Sequence, residues 1–314
     1  MSHIGLGKII LLGEHAVVYG FPALAAALDR GVTIAAVPTP AGGPLRVDVP
    51  SWNLRLTADD DHAFSHGLCA IADAVGLGRP PLTLVGDAQI PPGAGLGASA
   101  AFAVAVSRAL LAHLKRSGDP ASVTEAANAS ESVLHGKASG VDVALAVHGG
   151  IGVFRKSTGL KKIQIQPLRV LVGPSGAPRS TAAMVDRVAS ATAGSVDDAR
   201  LRELGSLTDT GTASLLAGDL PALGRDMNRA HELLAGLGVS TPLLDGLCAV
   251  AREHGAYGAK LTGAGGGGSV IAIAPRDKEE AILASWKKAS VNGFVATVGT
   301  QSGARRASLA SRER

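Results

Sequence analysis

Apolar runs of strand and helix length alternate along the chain, separated by polar or glycine-rich breaks. Residues 8–12, Lys-Ile-Ile-Leu-Leu, read as a buried strand. Residues 22–28 are apolar and buried, either helical or extended, and 32–37 read as a strand. A turn rich in Pro, Thr and Gly covers 38–44, and 45–56 alternate weakly like a hairpin. Residues 63–75 read as a helix that stops at Gly76, and 82–85 as a strand. Residues 102–114, rich in Ala and Leu with no Gly or Pro, read as a helix. Residues 122–134 read as another, with Ser122 as N-cap and Glu125 three residues on, a capping box. A turn and strand follow at 149–154, and alternation over 161–166 opens the second half. Residues 170–173 predict a strand and 182–191 a helix, with Thr181 as its cap. Residues 197–236 predict two helices broken at Gly218-Asp219-Leu220-Pro221. Thr241-Pro242 opens a helix that closes at Gly255, and 279–289 form a last one. No repeat of fixed period is present.

The breaks carry the chemistry. Residues 91–101, Pro-Pro-Gly-Ala-Gly-Leu-Gly-Ala-Ser-Ala-Ala, lie between a strand and a helix start. Gly93, Gly95 and Gly97, at every second position, let backbone approach a ligand with no Cβ in the way. The helix start adds free N–H groups and about half a positive charge, completing an anion cradle. Ser99 offers a hydroxyl in the first helical turn. No Gly-Lys-Ser/Thr follows, and the glycine spacing is wrong for a dinucleotide fingerprint. A second small-residue loop, 135–142, delivers Asp142 before an apolar run, where it serves equally well as a helix cap. A third, 262–269, reads Thr-Gly-Ala-Gly-Gly-Gly-Gly-Ser. Lys8, Glu14 and His15 flank the first strand, and taken alone they read as surface charges at its ends.

Composition narrows the class. The 314 residues suffice for one large domain or two ordinary ones, and only 3% are aromatic, so Ala, Val, Leu and Ile must fill the core. A net charge of +4, part of it in the terminal Arg305-Arg306 and Arg312-Glu313-Arg314, is too small to argue for nucleic acid. No apolar run reaches the roughly 18 residues that span a bilayer. Two cysteines, Cys69 and Cys248, both in apolar helical settings, read as buried free thiols of a reducing compartment, and a cytoplasmic protein is expected.

Lys8 on a strand, Ser99 at a helix start, Glu131 on a helix and Asp142 on a loop suit phosphoryl transfer. That reaction needs anion positioning, Mg2+ across the phosphates and a group to take the acceptor's proton. A carboxylate base contributes about 10²–10⁴-fold, and a neighbouring lysine keeps it ionised. Spacing alone does not bring these residues together.

The loops resemble the three motifs of the GHMP kinase superfamily. Residues 91–101 are similar to its ATP-phosphate loop and 262–269 to its third motif. Residues 7–20 resemble its first motif, most closely in the mevalonate-phosphorylating branch, through the run Gly-Glu-His-Ala-Val-Val-Tyr-Gly; so does the 135–142 loop. The resemblance extends from about residue 7 to about residue 298. It implies an α+β fold in two domains, S5-like over 1–165 and ferredoxin-like over 166–300, with the site between them, and a disordered basic tail over 301–314. It implies ATP and Mg2+, a small alcohol acceptor (mevalonate, at its C5 hydroxyl), no nucleic acid or membrane partner, and is compatible with a homodimer. Asp142 would be the base, with Lys8 beside it, both touching substrate. Glu14, His15 and Thr181 would line the acceptor pocket, and Ser99 and Glu131 would hold Mg2+. Pro92, Gly93, Ala94, Gly95, Leu96, Gly97, Ala98 and Ser99 would wrap the ATP phosphates, and residues 263–267 would shape the site. The chain departs from the family at Gly5-Leu6-Gly7 (usually Ala-Pro-Gly), Ala98-Ser99 (usually Ser-Ser) and Ala138-Ser139-Gly140 (usually Pro-Ser-Gly). Other alcohol kinases of the family, acting on phosphomevalonate, homoserine or the 3-hydroxyl of mevalonate, stay open. So does a catalytically silent sensor, against which the presence of Lys8, Ser99, Glu131 and Asp142 argues.

Overall fold

Two long strands begin the chain and run through both of its compact units. In the computed structural model these are β1 (His3–Leu12) and β2 (Ala23–Pro38). Residues 1–39, 42–135, 140–177 and 180–299 are described; the expected tail and residues 136–139 of the 135–142 loop lie outside them. One unit comprises Met1–Lys8, Arg30–Pro92 and Gly97–His148; the other comprises Ile9–Asp29, Gly93–Leu96 and the chain from Gly149 on. The segment 22–28, open between helix and strand in the sequence, is extended. Its residues Ala23 to Leu28 are all buried, so both strand faces are covered and the usual polar alternation is lost.

In the first unit the later part of β2 pairs antiparallel with β5 (Leu82–Ala88) from Val32 to Pro38. β5 pairs in parallel with β3 (Arg46–Val49), and β3 forms a hairpin with β4 (Leu54–Thr57). Four helices complete the unit: α1 (Ala63–Ala74), α2 (Ala98–His113), α3 (Pro120–His135) and α4 (Val141–His148). α1 packs on α3, and α2, α3 and α4 pack on one another. α2 starts at Ala98, ahead of the Ala- and Leu-rich run 102–114, and Ser99 stands in its first turn as expected. Among the described residues of this unit the buried apolar side chains are aliphatic apart from Phe102, which meets Phe64 edge-on at 5.0 Å.

In the second unit the start of β2 pairs with β6 (Ile151–Arg155), and β6 with β7 (Gly159–Ile163). A second sheet joins β8 (Leu168–Pro174), β9 (Gly258–Thr262), β10 (Ser269–Ile273) and β11 (Phe294–Val298), all antiparallel in the order β11-β8-β10-β9. With α9 (Arg276–Lys288) between β10 and β11, this is the ferredoxin-like order. The first crossover is enlarged to four helices, α5 (Thr181–Ala191), α6 (Ala199–Ala217), α7 (Leu220–Gly236) and α8 (Pro242–Glu253). The architecture is α+β. The α6–α7 break falls where expected: Gly218 closes one helix in the left-handed conformation and Asp219 caps the next.

Several local expectations are corrected. β9 and β11 were not separate strands in the sequence reading. The cap of α3 is Asp119, whose Oδ1 accepts from Ala121 N at 3.0 Å and Ser122 N at 3.1 Å. Pro120 then takes the first helical position, where its missing N–H costs nothing. Ser122, expected as the cap, instead donates its hydroxyl to Asp119 Oδ2 at 2.8 Å. Likewise Ser180, not Thr181, caps α5, accepting from Ala183 N at 3.2 Å. Cys69 is only partly buried, its thiol donating to Ala58 O at 3.3 Å, whereas Cys248 is buried and burial pushes its thiol up to about 12. No helix among the described residues is long and apolar enough to cross a membrane. Replacing Asp119 by Ala should lower the urea midpoint, and Ser122→Ala should lower it clearly less; an equal or larger loss at Ser122 would contradict Asp119 as the cap.

Candidate active site

The first unit gathers Lys8, Ser99, Glu131 and Asp142. Lys8 lies on the inner part of β1, only 4% exposed, and its Nζ approaches Asp142 Oδ1 at 3.3 Å. Asp142 is the second residue of α4, in its first turn, where the free N–H groups favour a carboxylate. It is therefore not the cap foreseen as the plain alternative. Ser99 stands in the first turn of α2, and Glu131, buried in α3, accepts a hydrogen bond from its hydroxyl. Burial, and then the Asp142 charge, raise the Glu131 pKa to about 7; the Ser99 bond and Lys8 hold it back.

Gly97 explains how the start of α2 and the lysine share this space. It caps α2 at φ 70°, a left-handed conformation that costs glycine nothing. A Cβ there would stand 2.8 Å from Lys8 Cγ, so the lysine stem passes directly over the glycine. Of the loop, Pro92 and Gly93 are exposed, and residues 94–98 are buried.

The second unit draws together the turn after β1, the loop residue Ala94 and the third glycine loop. His15 Nε2 donates to Ala264 O at 2.9 Å. Ser269 Oγ donates to Ala94 O at 2.7 Å. Thr262 Oγ1 accepts from Ile10 N at 2.9 Å and donates to Ile10 O at 3.0 Å. Gly265 passes beneath Val239 O, which a Cβ would meet at 2.1 Å, and Gly266 N donates to that oxygen at 2.7 Å. Glu14 and His15 are buried rather than exposed at a strand end, and Glu14 pairs with the fully buried Lys260. Thr181 is exposed at the start of α5. Lys260, Thr262 and Ser269 were not singled out in the sequence; the available signal was a lysine inside the apolar run that leads to the third glycine cluster.

The chain matches two described families in order. GHMP kinases N terminal domain covers residues 64–150, and GHMP kinases C terminal covers 212–292. A mevalonate kinase of Thermococcus sibiricus is 33% identical over 301 residues, spanning 88% of this chain and 90% of the relative. A mevalonate kinase of Methanothermobacter thermautotrophicus is 33% identical over 303 residues, spanning 92% and 97%. The crystal structure of L. major mevalonate kinase in complex with R-mevalonate superposes with a TM-score of 0.82 at 29% identity, covering 97% of both chains. The chain belongs to the GHMP kinase family. It is an ATP-dependent kinase of a small molecule.

The raised Glu131 carboxyl gives a signed expectation for the ligand-free protein. Its folded value, about 7, exceeds the ordinary 4.5, so its stabilising effect is complete below about pH 4.5 and is lost as pH rises through 7. Melting temperatures of wild type and Glu131→Gln should therefore diverge between pH 5 and 8, wild type losing ground. A constant difference across that range would mean that Glu131 titrates normally.

Proposed function

We propose that the protein transfers the γ-phosphoryl group of ATP to the C5 hydroxyl of mevalonate, giving 5-phosphomevalonate for isoprenoid precursor synthesis. The observation that carries this reading is the Lys8–Asp142 pair at 3.3 Å, next to Glu131 and Ser99, in a chain whose similar relatives are mevalonate kinases.

Asp142 takes the proton of the attacking hydroxyl. Lys8 pairs with that carboxylate and offsets the charge that develops on the transferring phosphoryl group. Backbone N–H groups over residues 92–99, with the α2 N-terminus, cradle the ATP phosphates. Glu14, His15 and Thr181 face the acceptor. On the same reading, residues 1–165 form the N-terminal and 166–300 the C-terminal domain.

Ser99 and Glu131 suit Mg2+. Their donors are a hydroxyl and a carboxylate, the hard oxygen ligands this ion takes alongside phosphate oxygens and water. A buried carboxyl beside a second carboxylate is also electrostatically costly, and a divalent cation relieves that cost. When bound, the cation supplies charge neutralisation across the phosphates.

The test is an acceptor panel of mevalonate, phosphomevalonate and homoserine, with ADP release followed at saturating ATP. Mevalonate should be turned over fastest. Preference for homoserine would end the assignment, and no turnover with any alcohol would favour a sensor. Asp142→Asn should lower turnover by about 10²-fold or more while ATP binding stays nearly intact; unchanged turnover would reject Asp142 as the base.

A further inference from the structure

Lys260 lies in the middle of β9 and is completely buried. A lysine is almost never found there without a partner. Its ammonium donates to Glu14 Oε1 and, at 2.7 Å, to the carbonyl of Leu261. Glu14, 1% exposed, is thereby held by a group that itself cannot reach water. Burial lowers the Lys260 pKa, and the Glu14 charge acts against that shift.

The strand around it is fixed from both sides. Side chains two apart share a strand face, and Thr262, two residues on, grips both the N–H and the carbonyl of Ile10. Lys260 and Thr262 thus bind the end of β1 and the turn behind it at two points. On the other side, Leu261 N donates to His231 Nδ1 at 3.3 Å. That leaves the ring proton on Nε2, which donates to Asp245 Oδ1 at 3.0 Å; Ser240 Oγ donates to the same oxygen. The chain of contacts runs from Asp245 through His231 and the main-chain N–H and carbonyl of Leu261 to Lys260 and Glu14.

Folding does not demand this charge. β9 is already hydrogen-bonded along its length to β10. An apolar side chain of similar volume paired with a neutral partner would avoid desolvating two ions, and such replacements are often neutral or stabilising. The carboxylate of this buried pair lies six residues along the chain from Lys8.

We propose that Lys260 is a positioning residue for the acceptor: it clamps one oxygen of Glu14 so that the carboxylate keeps a single orientation toward the hydroxyl groups of a small hydroxy acid. This rests on the reading that Glu14 faces the acceptor. The His231–Asp245 arm holds the N–H of Leu261, the residue whose carbonyl accepts the second Lys260 bond.

The experiment compares Lys260→Met, Glu14→Gln and the double variant with wild type in the full chain. The acceptor is whichever alcohol of the panel above wild type turns over fastest. Failure of mevalonate in that panel would remove the function reading while leaving this comparison readable. Lys260→Met should lower the melting temperature, raise the acceptor KM by about tenfold or more, and leave the ATP KM within about twofold. Glu14→Gln should show the same split between the two KM values. The double variant has no buried charge to strand. It should recover most of the lost melting temperature and still keep the raised acceptor KM. Recovery of the acceptor KM along with the melting temperature would reduce Lys260 to a counter-ion and overturn the proposal. An equal rise of both KM values in Lys260→Met, or an unchanged acceptor KM in Glu14→Gln, would overturn it too.

Discussion

The ion pair between Lys8 and Asp142 is the constraint on which the site depends. Lys8 is buried and Asp142 only partly so. Removing one partner of such a pair leaves an uncompensated charge in a poorly solvated place, a loss of several kcal/mol where burial is complete. The surroundings fit this demand. Gly97 lacks the Cβ that would block the Lys8 stem. Arg108, on α2, donates to Ile4 O of β1 and, at 2.8 Å, to Val147 O near the end of α4. One guanidinium thus ties the strand that carries Lys8 to the helix that carries Asp142. Mutual packing of α2, α3 and α4 then places Ser99 and Glu131 within electrostatic reach of the pair.

The second unit solves a related problem with backbone. Its third glycine loop is pinned by hydrogen bonds from His15 and to Val239, and its flanking residues Thr262 and Ser269 reach Ile10 and Ala94. Each of these contacts joins segments far apart in sequence. Covalent continuity does the rest. β1 carries Lys8 and leads within six residues to Glu14, and Ala94 stands five residues before Ser99. Glycine-rich turns therefore act as scaffolding: they allow main chains to approach so closely that side chains of different motifs can be fixed by single hydrogen bonds.

What could be read in the sequence was local. Runs such as 8–12 and 170–173, the break at Gly218, and the Thr241-Pro242 helix start each depend on neighbours within a few residues. The glycine clusters announced where backbone must approach something. Caps were legible only to within one or three positions, because Ser180 and Thr181 are chemically alike, and Asp119 stands before Pro120, outside the apolar pattern of its helix. β9 was hidden because Lys260 interrupts its apolar run. The charge pair that explains that lysine joins residues 246 apart, and no local pattern announces it. The approach of Glu131 to Asp142, and with it the raised carboxyl, was likewise a product of helix packing rather than of spacing.

A double-mutant cycle on Lys8 and Asp142 tests the central claim most directly, with kcat measured for wild type, Lys8→Met, Asp142→Asn and the double variant at saturating ATP and acceptor. If the two side chains act as one unit, the double variant loses about as much as the worse single variant, so the losses are far from additive. Losses that simply multiply would show two independent groups and contradict the account.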